Sequence, residues 1–171
     1  MAVYVVQAGE GGPVKIGTTN RLLNRMATLQ RDSAAPLRIV RLFEGGFRDE
    51  KELHLRFAQH RLQGEWFAPA DEIISGEVHL PTLDIPVAFT GKQYRTSDNG
   101  CPLSAYLKSS GLSQREFSSR SGIPVSTLSG IQSGARAPSI GMLSDIWTAT
   151  NGAVCPNDFV SWWASCREAT P

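Results

Sequence analysis

The chain opens on an apolar run, Ala2 to Gln7, then turn residues from Gly9 to Pro13, then a second β-rich run, Val14 to Gly17. Two such runs around a glycine-bearing turn predict a hairpin. Thr18, Thr19 and Asn20 are residue types that cap helices, and the period then changes. Over Arg21 to Gln30 the apolar positions Leu22, Leu23, Met26 and Leu29 form one arc of a helical wheel, with Arg25 at its rim and Arg21 further toward solvent. An arginine at such a rim lays its stem along apolar surface and aims its head at a cleft. Leu37 to Phe43 predicts a third strand, with Arg38 and Arg41 interleaved. From Asp49 to Leu62 the helical period returns: Glu50, Leu53, His54, Phe57 and Arg61 share one face, while Glu52 points the other way. A carboxylate on the apolar face of a helix is costly unless it has a cation to bind. Glu50 therefore reads as functional and Glu52 as a solvated surface group.

Residues 81–100 have no helical period and carry two prolines and two glycines. They read as a connector with one short strand around Val87 to Phe89. Beyond it the pattern is all helix: about Leu103 to Ser109, Ser113 to Arg120, Val125 to Ser133, Ile140 to Thr150 and Pro156 to Cys166. The expected organisation is a mixed α+β domain over 1–80, a linker over 81–100 and an all-α domain over 101–171. No internal repeat is present.

Charge excludes one simple reading. The chain has 17 Lys+Arg against 16 Asp+Glu. Residues 1–90 hold 10 basic against 11 acidic residues, a balance of −1, and residues 91–171 hold 7 against 5, a balance of +2. Neither half is the strongly basic surface of a tight non-specific nucleic-acid binder, so any such contact must come from local clustering. Cys101, Cys155 and Cys166 are odd in number and lack metal-type spacing, which predicts reduced thiols in a cytoplasmic protein. The chain starts directly on a strand pattern and no apolar run approaches the ~20 residues that span a bilayer, so neither a signal peptide nor a membrane partner is expected.

Placed on these elements, the polar residues of the first 67 positions form an ordered set. Tyr4 stands in Val3-Tyr4-Val5-Val6, followed by Lys15-Ile16-Gly17, Arg25, Glu50 with His54, and Gly64-Glu65-Trp66-Phe67. A phenol, an ammonium, a guanidinium and a carboxylate around one small sheet suit a phosphodiester and a divalent cation. The set resembles the GIY-YIG nuclease family, in the phage-associated branch whose domain closes with a GEWF-type segment. The resemblance covers about residues 2 to 75. It aligns Tyr4 with the tyrosine of the first motif, Gly17 with the glycine of the second, Arg25 with the family arginine and Glu50 with the metal-binding glutamate. Lys15 stands where tyrosine is usual, and Glu65-Trp66-Phe67 stands where other members place a closing asparagine. The resemblance implies hydrolysis assisted by one Mg²⁺ (or Mn²⁺) held by Glu50, with Arg25 donating to the phosphoryl oxygens in the transition state. Tyr4 would activate or position the attacking water, helped by Lys15, because a free phenol of pKa ~10 does this poorly. His54 is the rival base, its ordinary pKa lying nearer neutrality.

In the second half, Leu112-Ser113-Gln114-Arg115-Glu116-Phe117 starts a helix with a capping box, Gly122 turns the chain, and Leu128 and Ile131 face inward from the next helix. That is a helix-turn-helix. Residues 102 to 160 resemble lambda-repressor-like DNA-binding domains of the Cro type. The second helix would present Val125, Ser126, Ser129 and Gln132 to bases, with Gln114 and Arg115 at the backbone and Lys108, Arg120 and Arg136 at phosphates. Gly130 stands where the family often has arginine, so base contacts look weak. With so few cations one copy binds poorly, which points to a homodimer or to help from the first domain. The whole reads as a GIY-YIG-type endonuclease of DNA fused to a helix-turn-helix module. The alternatives are a non-catalytic transcription regulator that keeps the nuclease fold, and an RNA-directed or structure-directed nuclease.

Overall fold

The computed structural model describes residues 1–83 and 100–168, with side chains up to Cys166; the strand expected around Val87 to Phe89 lies outside the described residues. The chain is mixed α+β, with an antiparallel five-stranded sheet before the connector and helices after it. It divides into two compact units. One holds Met1–Asn20 and the chain from Thr28 through the first described stretch; the other holds Arg21–Ala27 and the second described stretch.

In the first unit the strands are β1 (Ala2–Ala8), β2 (Val14–Thr19), β3 (Leu37–Glu44), β4 (Arg61–Gln63) and β5 (Trp66–Phe67), in the order β3-β1-β2-β5-β4. Every residue from Ala2 to Gln7 is buried, so β1 is covered on both faces. That is why its sequence is a continuous apolar run rather than an alternation. The β1–β2 hairpin sets Tyr4 opposite Gly17 and Val6 opposite Lys15, placing these four on one face. Val3, Val5, Val14 and Ile16 take the other face and form a core with Phe43, Leu53, Phe57, Phe67 and Ile73. The outer edge of β3 is closed by residues 81–83: Glu44 donates to the Pro81 carbonyl at 2.8 Å and Leu83 to that of Leu42 at 3.0 Å. Covering an edge in this way removes a template for unwanted pairing.

Helix α1 spans Leu22–Arg31 and α2 spans Phe47–Arg56. The helix expected over Asp49 to Leu62 is thus shifted and shorter. Its N-terminus is held by Asp49 Oδ2, which accepts from the Gly46 amide at 2.7 Å. Its end comes at buried Phe57, whose amide still reaches the Leu53 carbonyl. Residues Ala58–His60 then make a 3-10 turn, and Arg61–Gln63 leaves the helix to pair with Trp66–Phe67. Strand pairing takes the last turn that periodicity alone assigned to the helix. Arg61 therefore does not share a helical face with Glu50. The rest of that face holds: Leu53 and Phe57 are buried, Glu50 and His54 half-buried, and Glu52 exposed. A short helix, α3 (Asp71–Ile74), follows β5.

The second unit contains α4 (Pro102–Ser110), α5 (Gln114–Ser121), α6 (Val125–Gln132), α7 (Ile140–Ala149) and α8 (Pro156–Glu168). Helix α5 carries the expected capping box: the Glu116 amide donates to Ser113 Oγ at 3.2 Å, and the Ser113 amide to Glu116 Oε2 at 2.8 Å. Gly122 ends it at φ 71°, in the left-handed region that side chains disfavour, which lets the chain turn directly into α6. Phe117, Leu128, Ile131, Leu143, Ile146, Phe159 and Trp163 fill the core. Trp163 Nε1 donates to Oδ1 of Asn24, a residue of the same unit, at 2.9 Å.

A Cβ on Gly17 would lie 2.4 Å from the Tyr4 hydroxyl oxygen and 2.7 Å from Cζ, so the ring lies directly across this glycine. Gly17→Ala is expected to destabilise the protein by about 1–3 kcal/mol through overpacking. Urea unfolding measures it, and an unchanged midpoint would mean that the ring does not need that space.

Candidate functional site

Strand β2 carries candidate residues on both of its faces. Lys15 and Gly17 lie on the face shared with Tyr4, and Ile16 and Thr18 lie on the opposite face, which packs against α2. Tyr4 is fully buried. Lys15 is buried too, and its ammonium is compensated where it sits: Nζ is 2.5 Å from Glu65 Oε2 and 5.6 Å from the centroid of the Trp66 ring. Lys15 and Trp66 are direct partners in the β2–β5 pairing, so the closing Gly-Glu-Trp-Phe segment brings both a counter-ion and an aromatic face to the lysine. The sequence reading gave Glu65 no role. A two-residue strand leaves no periodic signal, and only its pairing with β2 shows where the carboxylate goes.

On the α2 side, Thr18 Oγ1 donates to Glu50 Oε2 at 2.6 Å. Among the described residues Glu50 forms no ion pair. One turn on, His54 Nε2 is 3.1 Å from the Ile16 carbonyl. A carbonyl oxygen only accepts, so in this contact Nε2 is the donor. The imidazole also packs on Phe67, with centroids 5.3 Å apart, and Arg61 Nη2 donates to the His54 carbonyl at 3.0 Å. His54 thus ties α2 to β2 while Thr18 holds the carboxylate beside it. Thr18 was not singled out from the sequence beyond helix capping, because a threonine at a strand end gives no hint of a partner 32 positions away. Arg25 is half-buried on α1, in turns that cluster with the second unit.

In the helical unit, Val125, Ser126 and Ser129 are exposed on α6, as are Arg115, Arg120, Arg136 and Lys108 nearby in sequence. Gln132 is differently engaged. It accepts from the Gln114 side-chain amide, and its own Nε2 donates to Ser104 Oγ at 3.0 Å, so both glutamines take part in a link among α4, α5 and α6. Arg136 folds back over Gly130: its amide donates to the Gly130 carbonyl at 2.9 Å and its Nη1 lies 3.5 Å from Thr127 Oγ1. The cysteines are free thiols; burial pushes Cys101 above its ordinary value and Cys155 up to about 11, so neither is a nucleophile near neutral pH.

Two family models match the chain. Residues 1–79 match the T5orf172 domain, and residues 103–151 match a helix-turn-helix domain. The chain carries a T5orf172 domain followed by a helix-turn-helix domain. No curated protein and no solved structure matches it. The T5orf172 domain is compatible with nuclease-type activity, and the helix-turn-helix domain implies DNA binding. Among the described residues no helix is long and apolar enough to cross a membrane.

The Lys15–Glu65 pair makes an asymmetric prediction, because removing one partner strands the other while removing both does not. Lys15 is the more buried member, with 9% side-chain exposure against 44% for Glu65. Glu65→Gln is expected to cost about 1–2 kcal/mol in urea unfolding, with the exposure of Glu65 holding the figure down. The double variant Lys15→Met/Glu65→Gln is expected to recover most of that loss; no recovery would mean that the pair is not what holds Lys15.

Proposed function

We propose that the protein is a metal-dependent DNA endonuclease of GIY-YIG type, targeted by its helix-turn-helix domain. The observation that carries this reading is Glu50: a half-buried carboxylate on the inward face of α2, oriented by a hydroxyl and with no ion-pair partner among the described residues. Such a group is costly unless something cationic comes to it. Among the described residues there is no cluster of three or more His, Cys, Asp and Glu able to cage an ion. A single carboxylate suits Mg²⁺ (or Mn²⁺), which keeps several waters and is bound through one or two carboxylates together with substrate phosphate. When bound there, the ion supplies positive charge against the phosphate and the leaving 3′ oxygen.

The chain's own residues then divide the remaining work. Glu50 presents its free oxygen to the ion. Tyr4 keeps the water-positioning role that the resemblance assigns it; it is fully buried, on the sheet face opposite the one that packs against α2. Lys15, held by Glu65, would serve as a fixed donor toward phosphate. His54, whose Nε2 donates to the Ile16 carbonyl, ties α2 to β2, and the rival base role that the sequence gives it would fall to Nδ1. The transition-state role of Arg25 rests on the sequence resemblance. In the second domain Val125, Ser126 and Ser129 face the bases and Arg115, Arg120 and Arg136 the phosphates, while Gln114 and Gln132 hold the helices together. Burial of Tyr4 and compensation of Lys15 favour a second reading, a DNA-binding regulator that keeps the nuclease fold without cutting.

Supercoiled plasmid with and without Mg²⁺ or Mn²⁺ separates the two, cleavage requiring the ion under the first and being absent under the second. Glu50→Gln is expected to abolish cutting with folding intact, and Glu52→Gln to leave it unchanged. Arg25→Ala is expected to lower the rate by on the order of 10². Tyr4→Phe is expected to be inactive at every pH, whereas His54→Ala raises the metal requirement; loss of only the near-neutral limb in His54→Ala would return the base role to the histidine. For targeting, Ser129→Ala is expected to relax preference among sites by ~1–3 kcal/mol in competition binding, while Arg120→Ala weakens binding to all sequences and reduces the salt slope by about one.

A further inference from the structure

We infer that Thr18 is the positioning residue of the metal-binding carboxylate, fixing which oxygen of Glu50 is offered to the ion; this rests on the metal-dependent reading above. The ionised carboxylate has no proton to give, so in the 2.6 Å contact the Thr18 hydroxyl donates and occupies Oε2. Oε1 is left as the free ligand atom. Threonine is suited to this work because its branched Cβ restricts χ1, so the strand backbone largely dictates where the hydroxyl points. A serine in the same place has the donor but more freedom, and a valine has the shape without the donor.

The surroundings extend the argument beyond one hydrogen bond. Thr18 and Ile16 are alternate residues of β2 and face α2, while Glu50 and His54 are one helical turn apart on α2 and face β2. The strand therefore grips the helix at two points: the Thr18 hydroxyl on Glu50, and the Ile16 carbonyl on the His54 ring. The histidine contact fixes the helix, and the threonine contact fixes the carboxylate on it. Groups that hold a ligating carboxylate through a hydrogen bond typically change metal affinity by about 10- to 100-fold when removed.

The test uses the full chain and Mn²⁺ as the probe. Binding is followed by calorimetry without DNA for the wild type, Thr18→Val, Thr18→Ser and Glu50→Gln, with unfolding midpoints recorded for each. In parallel, the Mn²⁺ dependence of plasmid cleavage separates half-saturating metal from the rate at saturating metal. The expected result is that Thr18→Val weakens Mn²⁺ binding by about 10- to 100-fold, with its unfolding midpoint close to wild type. Its half-saturating Mn²⁺ rises by a similar factor while its saturated rate stays within a few-fold of wild type, and Thr18→Ser restores most of the affinity. Wild-type affinity in Thr18→Val together with loss of binding in Glu50→Gln overturns the positioning role and leaves the metal reading standing. Equal binding in wild type and Glu50→Gln, including none in either, together with plasmid cleavage that is the same with and without Mn²⁺, removes the metal reading and the positioning role with it. A drop in affinity that Thr18→Ser does not rescue, accompanied by a lowered unfolding midpoint, assigns Thr18 to the fold instead.

Discussion

A strand buried on both faces can carry a polar group only where that group finds a partner, and the first domain is organised around that constraint. Strand β1 is such a strand, and β2 beside it is buried from Val14 through Gly17. Every polar side chain placed there is consequently fixed. The Gln7 amide donates to the Gly12 carbonyl, the Lys15 ammonium meets Glu65, and the Tyr4 ring occupies the space that Gly17 leaves open. Groups held this way sample few conformations, because each is fixed by a partner inside the packed sheet.

The two faces of β2 then do different jobs. One carries Gly17, over which the Tyr4 ring lies, and sets the Lys15 ammonium against the closing Gly-Glu-Trp-Phe segment. The other aligns α2, so that a helix with only Leu53 and the capping Phe57 in the core still presents Glu50 at a defined place. The short β4–β5 hairpin matters out of proportion to its length. It ends α2 early, supplies the counter-ion of Lys15, and donates from Arg61 to the carbonyl of His54.

In the helix-turn-helix domain the same logic sorts side chains into internal and external ones. Gln114 and Gln132 are residue types that read adenines well, and here they pair with each other while Gln132 also donates to Ser104. What α6 leaves outward is small or apolar: Val125, Ser126 and Ser129.

Periodicity by itself determined the strands β1 to β3, the helical face that separates Glu50 from Glu52, the capping box at Ser113 and the five helices after the connector. These are signals written within a turn or a few residues of one another, and local stereochemistry is enough to decode them. Tertiary structure alone decided the rest. Where α2 stops depends on Arg61–Gln63 finding β5, a contact whose two-residue partner has no pattern of its own. That Thr18 holds Glu50, that Glu65 neutralises Lys15, and that Gln132 turns inward are pairings between residues 18 to 50 positions apart. Each is made by hydrogen-bond partners that only the packed chain brings together, and a side chain's chemistry in the sequence does not say which partner it will find.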